Sequence, residues 1–203
     1  MAQHNEAPIR VGLLGAGTVG SQTARLLVEQ KDELAARIGR PIELVGVACL
    51  DPDEVDFPWI DKSLLTTDTM KVATNADIVV ELIGGTTVAR TFVMAAIESG
   101  ASVVTANKAL LAKYGPEIYT AAEAKGVDIY FEAAVGGAIP FLLPLRESLA
   151  GDKVTSMLGI VNGTTNYILD EMTTKGLQFD DVLKDAQAKG YAEADPTGDI
   201  EGY

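Results

Sequence analysis

Basic, aromatic and cysteine residues are scarce in this sequence of 203 residues. Its 16 Lys and Arg residues are outnumbered by 29 Asp and Glu residues, which gives a formal net charge of -13. This balance argues against a nucleic acid partner and against an anionic membrane surface. The one cysteine, Cys49, excludes an internal disulfide and fits a reducing compartment, so we expect a cytoplasmic protein in which Cys49 is an inert core residue.

Long hydrophobic runs are absent as well. The first residues, Met1 to Pro8, contain no apolar signal region, and the longest apolar stretch, near Ala138 to Leu145, is interrupted by two prolines. We therefore expect no membrane span. Hydrophobic residues still make up 47% of the chain, which is enough to bury a substantial core. The length allows one large domain, or one domain plus part of a second.

The clearest motif is a glycine-rich turn that follows the apolar run Ile9–Leu14 and precedes a helical pattern. It has the spacing Gly15-x-Gly17-x-x-Gly20. Gly15 permits a tight reversal, Gly17 lets a pyrophosphate approach the backbone, and Gly20 allows the helix to pack closely on the strand. Because strand, turn and helix come in this order, a dinucleotide-binding turn is favoured over a glycine-rich turn without a ligand.

Apolar strand patterns alternate with helical patterns over the first two thirds of the chain. One helix is expected over Glu117–Lys125, between Pro116 and Gly126. The alternation predicts an α/β fold, a Rossmann-type doubly wound parallel sheet whose carboxyl edge binds the ligand. The predicted strands are Ile9–Leu14, Ile42–Leu50, Ala76–Leu82, Ser102–Thr105 and Asp128–Phe131.

The pattern changes after Phe131, where small residues and two prolines replace the alternation. We predict a Rossmann domain over residues 1–133 and the start of a second α+β substrate domain over residues 134–203. Within the second domain the expected elements are a helix over Pro140–Leu149, a strand over Val154–Val161, a helix ending near Thr174 and a helix over Asp180–Lys189.

An acidic residue, Asp51, lies where the second predicted strand should end. In Rossmann folds an acid at this place bonds the adenosine ribose hydroxyls, whereas NADP sites prefer an arginine nearby. No Lys or Arg lies between Pro41 and Ile60, which favours NAD over NADP, although NADP enzymes can place their basic group elsewhere. Most of the loop Asp51–Ser63 is expected to be exposed.

Three further segments resemble the homoserine dehydrogenase family, and the resemblance extends over almost the whole chain. It implies reversible reduction of aspartate β-semialdehyde to homoserine with NAD or NADP, on the route to threonine, methionine and isoleucine. It also implies a small amino-acid substrate and a homo-oligomeric full-length enzyme. The segments are Thr105-Ala106-Asn107-Lys108, Gly159-Ile160-Val161-Asn162-Gly163-Thr164-Thr165-Asn166 and Ala192-Glu193-Ala194-Asp195-Pro196.

The resemblance also implies roles for individual residues. Lys108 would lie near the nicotinamide and the substrate, Glu193 would bind the substrate amino group, and Asp199 would lie at the substrate end of the cofactor cleft. A cation is unfavourable at a helix start, which favours a role for Lys108 over a plain surface lysine. Taken together with the glycine turn and the position of Asp51, the predicted cofactor contacts are Gly15, Ala16, Gly17, Thr18, Val19, Gly20, Asp51, Gly84, Gly85, Thr105 and Lys108. The resemblance further implies a monovalent cation, usually sodium, held by Glu132, Val135, Gly137 and Ile139.

Some of these residues also have a plainer interpretation. Glu132 could pair with a nearby base, Glu193 could be a solvated loop acid, and Asp195 before Pro196 is equally compatible with a turn.

The family pattern Asp-x-x-Gly-x-Asp-x-x-x-Lys begins here at Asp199 and Gly202, and the sequence ends at Tyr203. Its lysine, the acid/base of the family, would lie beyond that residue. We therefore expect an amino-terminal piece of the enzyme that binds cofactor but turns over poorly or not at all. The alternative is a dinucleotide-binding module without catalysis, such as a sensor or regulatory domain.

Overall fold

The computed structural model describes residues 7–160, 162–192 and 195–202, which form two compact units. The first unit extends to Leu143 and the second begins at Pro144, whereas the sequence places a boundary after residue 133. The carboxylate of Glu132 accepts hydrogen bonds from the amides of Phe141, Leu142 and Leu143. These bonds keep the intervening loop with the first unit.

The first unit is built on one parallel sheet of six strands in the order β3-β2-β1-β4-β5-β6. This order confirms the predicted Rossmann-type doubly wound fold. The order reverses between β1 and β4, so the turns that follow these two strands lie side by side at the carboxyl edge. The strands are β1 (Ile9–Leu14), β2 (Ile42–Ala48), β3 (Leu65–Thr66), β4 (Ile78–Glu81), β5 (Ser102–Thr105) and β6 (Ile129–Tyr130).

Among the described residues, five α-helices accompany the sheet, and the second unit contains three α-helices and a π-helical turn, Pro144–Ser148. Glycines in the left-handed conformation end three of them: Gly39 with φ 83°, Gly126 with φ 68° and Gly176 with φ 66°. The helices are α1 (Thr18–Glu29), α2 (Lys31–Ile38), α3 (Thr69–Thr74), α4 (Thr87–Glu98), α5 (Lys108–Lys125), α6 (Gly163–Lys175), α7 (Phe179–Ala188) and α8 (Thr197–Ile200).

The central strands are apolar on both faces because helices cover both sides of the sheet. On one side, Leu14, Val79 and Val103 pack with residues of α3, α4 and α5. On the other side, Leu13 and Val47 pack with Ala24 of α1 and with the loop that follows β2. These clusters fix the position of the carboxyl edge.

Most residues of the loop Asp51–Ser63 after β2 are exposed, as expected, but several of its apolar residues pack against the first unit. Ile60 is buried, and the indole N–H of Trp59 donates to the carbonyl oxygen of Ser21 at 2.8 Å. Arg25 of α1 lies over the Trp59 ring, and Phe57 stacks on it. The loop is therefore attached to α1 through Trp59, and its charged residues remain exposed.

Helix α5 corrects the prediction that a helix begins at Pro116. The helix begins at Lys108 because the side-chain oxygen of Asn107 accepts the amide of Leu110 at 3.0 Å and caps the first turn. The residues that follow are strong helix formers, which outweighs the one backbone hydrogen bond that Pro116 removes. Pro116 consequently lies inside the helix.

The strand predicted over residues 154–161 is not formed in its described part, residues 154–160. Met157, Leu158 and Ile160 are largely exposed. A strand needs a neighbouring strand for its backbone hydrogen bonds, and the described residues of the second unit contain none. That unit instead packs Ile168 of α6 against Val182 and Ala186 of α7. Within the described residues, no helix combines the length and the apolar character that spanning a membrane requires.

Candidate functional site

Two glycines of the turn between β1 and α1 are required by the packing of the backbone, whether or not a ligand binds. Gly15 has φ 108°, and a Cβ there would lie 2.7 Å from the carbonyl oxygen of Leu82. A Cβ at Gly20 would lie 2.0 Å from the carbonyl oxygen of Gly15, because the first turn of α1 approaches the preceding turn so closely. The tight reversal and the close helix packing expected from the spacing are both present.

Gly17 is different, because a Cβ at this position would meet no described atom within 4 Å. Gly17 is also the N-cap residue of α1, where no side chain of the described residues caps the helix. The first amides of a helix, here those of Thr18 and Val19, have no partner within the helix. Together with the helix dipole they form a site that suits a phosphate group.

A cavity of about 540 Å³ lies beside this turn, at the carboxyl ends of β1, β2 and β4. Its size is that of a small-molecule site. Two acids, Asp51 and Glu54, line the cavity, and no Lys or Arg lines it in the described chain. The rest of the lining is mainly backbone and apolar side chains, among them Ala16, Leu50, Val55, Phe57, Leu82, Val88 and Phe92.

Asp51 and Cys49 follow β2 on the wall of this cavity. The Asp51 carboxylate accepts the amide of Asp53 at 3.0 Å, which orders the start of the loop. Cys49 is half-buried, so it contributes to the cavity wall as well as to the interior. Burial raises the pKa of the Cys49 thiol, which keeps it protonated and unreactive at neutral pH.

The turn after β4 forms the second glycine-rich part of the edge. Gly84 and Gly85 have φ 79° and 68°, in the left-handed region that side chains rarely adopt. The carboxylate of Glu81, fully buried at the end of β4, accepts the amides of Ile83 at 2.9 Å and Gly84 at 3.2 Å. The buried Glu81 thus stabilises the conformation of this turn through two hydrogen bonds to its backbone.

Thr105 and Lys108, at the carboxyl end of β5, differ in exposure. The hydroxyl of the buried Thr105 donates to Glu81 at 2.6 Å, so its side chain is committed to the interior. Any contact of Thr105 with a cofactor would come from its backbone. Lys108 is the exposed first residue of α5. The residues predicted from the first domain for the cofactor therefore all lie on or beside the carboxyl edge.

The loop after β6 contains the four residues predicted for a cation. Glu132 uses both carboxylate oxygens, with the amides of Leu142 at 2.8 Å and Leu143 at 3.0 Å among its donors. Gly136 and Gly137, with φ 77° and 60°, turn the loop. Among the described residues there is no cluster of three or more His, Cys, Asp or Glu side chains, so a cation here would depend on backbone carbonyls.

Asp199 lies in α8 of the second unit, which is described by itself. The side-chain amide of Asn162 donates to the Asp199 carboxylate at 2.8 Å, and the Asn162 oxygen accepts the amide of Thr165 at the start of α6. The side chain of Asn162 therefore connects the start of α6 with α8. Glu193 lies outside the described residues.

Sequence reasoning missed Glu81 and Asn107 as side chains of the carboxyl edge, and Asn162 as the partner of Asp199 within the second unit. The signal for Glu81 is an acid that ends the apolar run Ile78-Val79-Val80, where a parallel strand reaches its ligand-binding edge. Both asparagines precede helices, where a side-chain cap is expected.

Comparison with known proteins gives consistent matches along the chain. The family model described as homoserine dehydrogenase, NAD binding domain, matches residues 15–132, and the model described as homoserine dehydrogenase matches residues 140–203. A homoserine dehydrogenase of Corynebacterium glutamicum is 52% identical over 200 residues, and one of Synechocystis is 48% identical over 197 residues. Both matches cover 96% of this chain but only 44% and 45% of the relatives.

Solved structures give the same result. A homoserine dehydrogenase from Thiobacillus denitrificans has a TM-score of 0.86 at 51% identity, covering 96% of this chain and 45% of that one. A hyperthermophilic archaeal homoserine dehydrogenase in complex with NADPH has a TM-score of 0.78 at 25% identity, covering 97% and 66%. The chain therefore spans less than half the length of the bacterial relatives.

The different surroundings of Gly17 and Gly20 allow binding and folding to be tested separately. Gly17→Val should fold normally, with a melting temperature within about 2 °C of the original chain, because no protein atom opposes the side chain. Its affinity for NADH should fall by at least about tenfold, because the valine occupies the place of the pyrophosphate. Fluorescence titration with NADH and thermal unfolding measure the two effects.

Gly20→Ala provides the contrast. Its Cβ would lie 2.0 Å from a backbone oxygen, so the melting temperature should fall by an amount that corresponds to about 2 kcal/mol or more. Full NADH affinity in Gly17→Val would contradict the position of the pyrophosphate.

Proposed function

The chain belongs to the homoserine dehydrogenase family, and we propose that it binds NAD(P) across the carboxyl edge of its sheet as part of an enzyme that interconverts homoserine and aspartate β-semialdehyde. The pyrophosphate would rest on the first turn of α1. The adenosine would lie over β2, and the nicotinamide over β4 and β5.

The observation that carries this proposal is the environment of Gly17. The position is open to solvent, no described protein atom requires a glycine there, and the adjoining helix amides are uncapped. A bound diphosphate explains all three features, because it needs both the bare backbone and the free N–H groups. An acidic chain has no global field that attracts an anion, so this local arrangement must supply the attraction.

The roles proposed for the remaining residues follow from their place relative to the cofactor. The exposed Lys108 at the start of α5 would lie beside the nicotinamide and the substrate. Glu193 would bind the substrate amino group and Asp199 would act at the substrate end of the site. A bound nicotinamide supplies hydride chemistry, and the chain's own residues bind and orient the two reactants.

NAD is the proposed cofactor in preference to NADP. The cavity beside β2 presents the carboxylates of Asp51 and Glu54 and no lining Lys or Arg. A 2′-phosphate would bring two negative charges close to these acids without a compensating cation, whereas a ribose hydroxyl can donate to a carboxylate.

Competing titrations test the cofactor and its preference together. The dissociation constant for NADH should be lower than that for NADPH by about tenfold or more, and Asp51→Asn should reduce this ratio because it removes one repelling charge. Asp152→Asn is a matched control, since Asp152 belongs to the second unit and does not line the cavity. Equal or tighter binding of NADPH would contradict the preference, and a chain that binds neither dinucleotide would contradict the proposed function.

Homoserine-dependent reduction of NAD should be measured in the same preparations. Dinucleotide binding with reduction supports the dehydrogenase activity of this chain. Binding without reduction limits the chain to the binding step.

A sodium site in the loop after β6 is the second part of the proposal. The loop offers one carboxylate and the carbonyl oxygens of Val135, Gly137 and Ile139, which accept no hydrogen bond recorded among the described residues. Oxygen ligands of this kind suit a hard monovalent cation. The oxygen atoms of this loop are therefore suitable ligands for a sodium ion. Glu132 also holds the loop closed, because it accepts the amides of Leu142 and Leu143.

Sodium binding should stabilise the first unit. The melting temperature should be higher in NaCl than in choline chloride at equal ionic strength, because a cation that binds only the folded state shifts the unfolding equilibrium. Glu132→Gln should lose this difference, whereas Glu98→Gln, on the surface of α4, should keep it. Identical melting temperatures in the two salts would argue against the site.

A further inference from the structure

Glu81 is an acid in an unusual place. Its side chain is completely buried at the carboxyl end of β4, at the point where the strand order reverses. Four donors reach it. The amides of Ile83 and Gly84 bind Oε1 at 2.9 and 3.2 Å, the Asn107 side-chain amide approaches Oε1 at 3.5 Å, and the Thr105 hydroxyl binds Oε2 at 2.6 Å.

A buried carboxylate is costly unless hydrogen bonds replace its hydration. An apolar side chain would fill the same space at the end of an apolar strand without that cost. The four donors offset the cost, and they come from the turn after β4, from Thr105 at the end of β5 and from Asn107 in the turn after β5. The β4–β5 ladder ends at Glu81 and Thr105, and the acid extends the connection by side-chain bonds to the turns that follow the two strands.

The connection continues from Thr105 to the start of α5. The Thr105 hydroxyl, which donates to Glu81, accepts the backbone amide of Asn107 at 3.0 Å. The Asn107 side chain donates to the Gly85 carbonyl at 2.7 Å and accepts the amide of Leu110, so it binds one turn and caps the helix that begins with the next residue. Bonds arranged in sequence in this way polarise and reinforce one another.

The turns after β4 and β5 are those that border the nicotinamide half of a dinucleotide in a sheet of this topology, since the adenosine half lies over β2. We propose that Glu81 is a positioning residue for the nicotinamide half of the cofactor, holding the Gly84–Gly85 turn and the Lys108 end of α5 at a fixed separation. This inference rests on the proposed function. Glu81 lies beneath the surface of the site and acts through the two turns.

The test compares a whole dinucleotide with its adenosine part. In Glu81→Gln the affinity for NADH should fall about tenfold, while the affinity for ADP should stay within about twofold, because ADP needs only the β1–α1 turn and the β2 side of the cavity. Glu117→Gln is the matched control. Glu117 is a surface carboxylate of α5 paired with Arg90, and its substitution should change neither affinity.

Thr105→Val is the second variant, which keeps the side-chain shape and removes one donor to Glu81. It should weaken NADH binding in the same direction, by about threefold, with ADP binding retained. It also carries the test if Glu81→Gln fails to fold.

The possible outcomes distinguish the positioning role of Glu81 from dinucleotide binding itself. Equal losses of NADH and ADP affinity, or no loss of either, would overturn the positioning role while leaving dinucleotide binding intact. If the unaltered chain binds neither NADH nor ADP, the proposed function fails and this inference fails with it.

Discussion

The backbone of α1 approaches the turn after β1 so closely that position 20 has no room for a side chain. This contact fixes where the first amides of α1 lie, and those amides are uncapped by any described side chain. The remainder of the first unit supports the arrangement: Leu13 and Leu14 anchor β1 in both halves of the core, and the aromatic loop after β2 packs on α1. A chain of net charge -13 can hold an anionic cofactor only through such a local concentration of donors.

The carboxyl edge is built from two supports of different kinds. On the β1 side the support is steric, because glycines allow a close approach. On the β4 and β5 side it is a polar network, in which the buried Glu81 collects donors from both turns. The steric support suits a charged diphosphate, which needs bare amides. The polar network would suit the reacting end of the proposed cofactor, because position must be precise there. Lys108 begins α5 next to Asn107 of this network.

Local chemistry explains what the sequence could predict. The glycine spacing after Leu14 and the alternation of strands and helices are local patterns, so the turn and the parallel sheet were predictable. The hydrogen bonds of Glu81 were not predictable, because its partners Thr105 and Asn107 are brought to it only by the pairing of β4 with β5. The extent of α5 depended on the cap at Asn107, which outweighs the proline signal. The strand expected over residues 154–161 is absent from its described part, residues 154–160, because its apolar pattern has no neighbouring strand in the described second unit.

Amide hydrogen exchange with and without saturating NADH tests the central claim most directly, since it reports which backbone N–H groups the cofactor covers. We expect slower exchange at Thr18 and Val19 and at the turn containing Gly84, with no change in α2, which does not line the cavity. Protection confined to other segments under conditions where NADH is bound, with the first turn of α1 exchanging as fast as in the free chain, would contradict it.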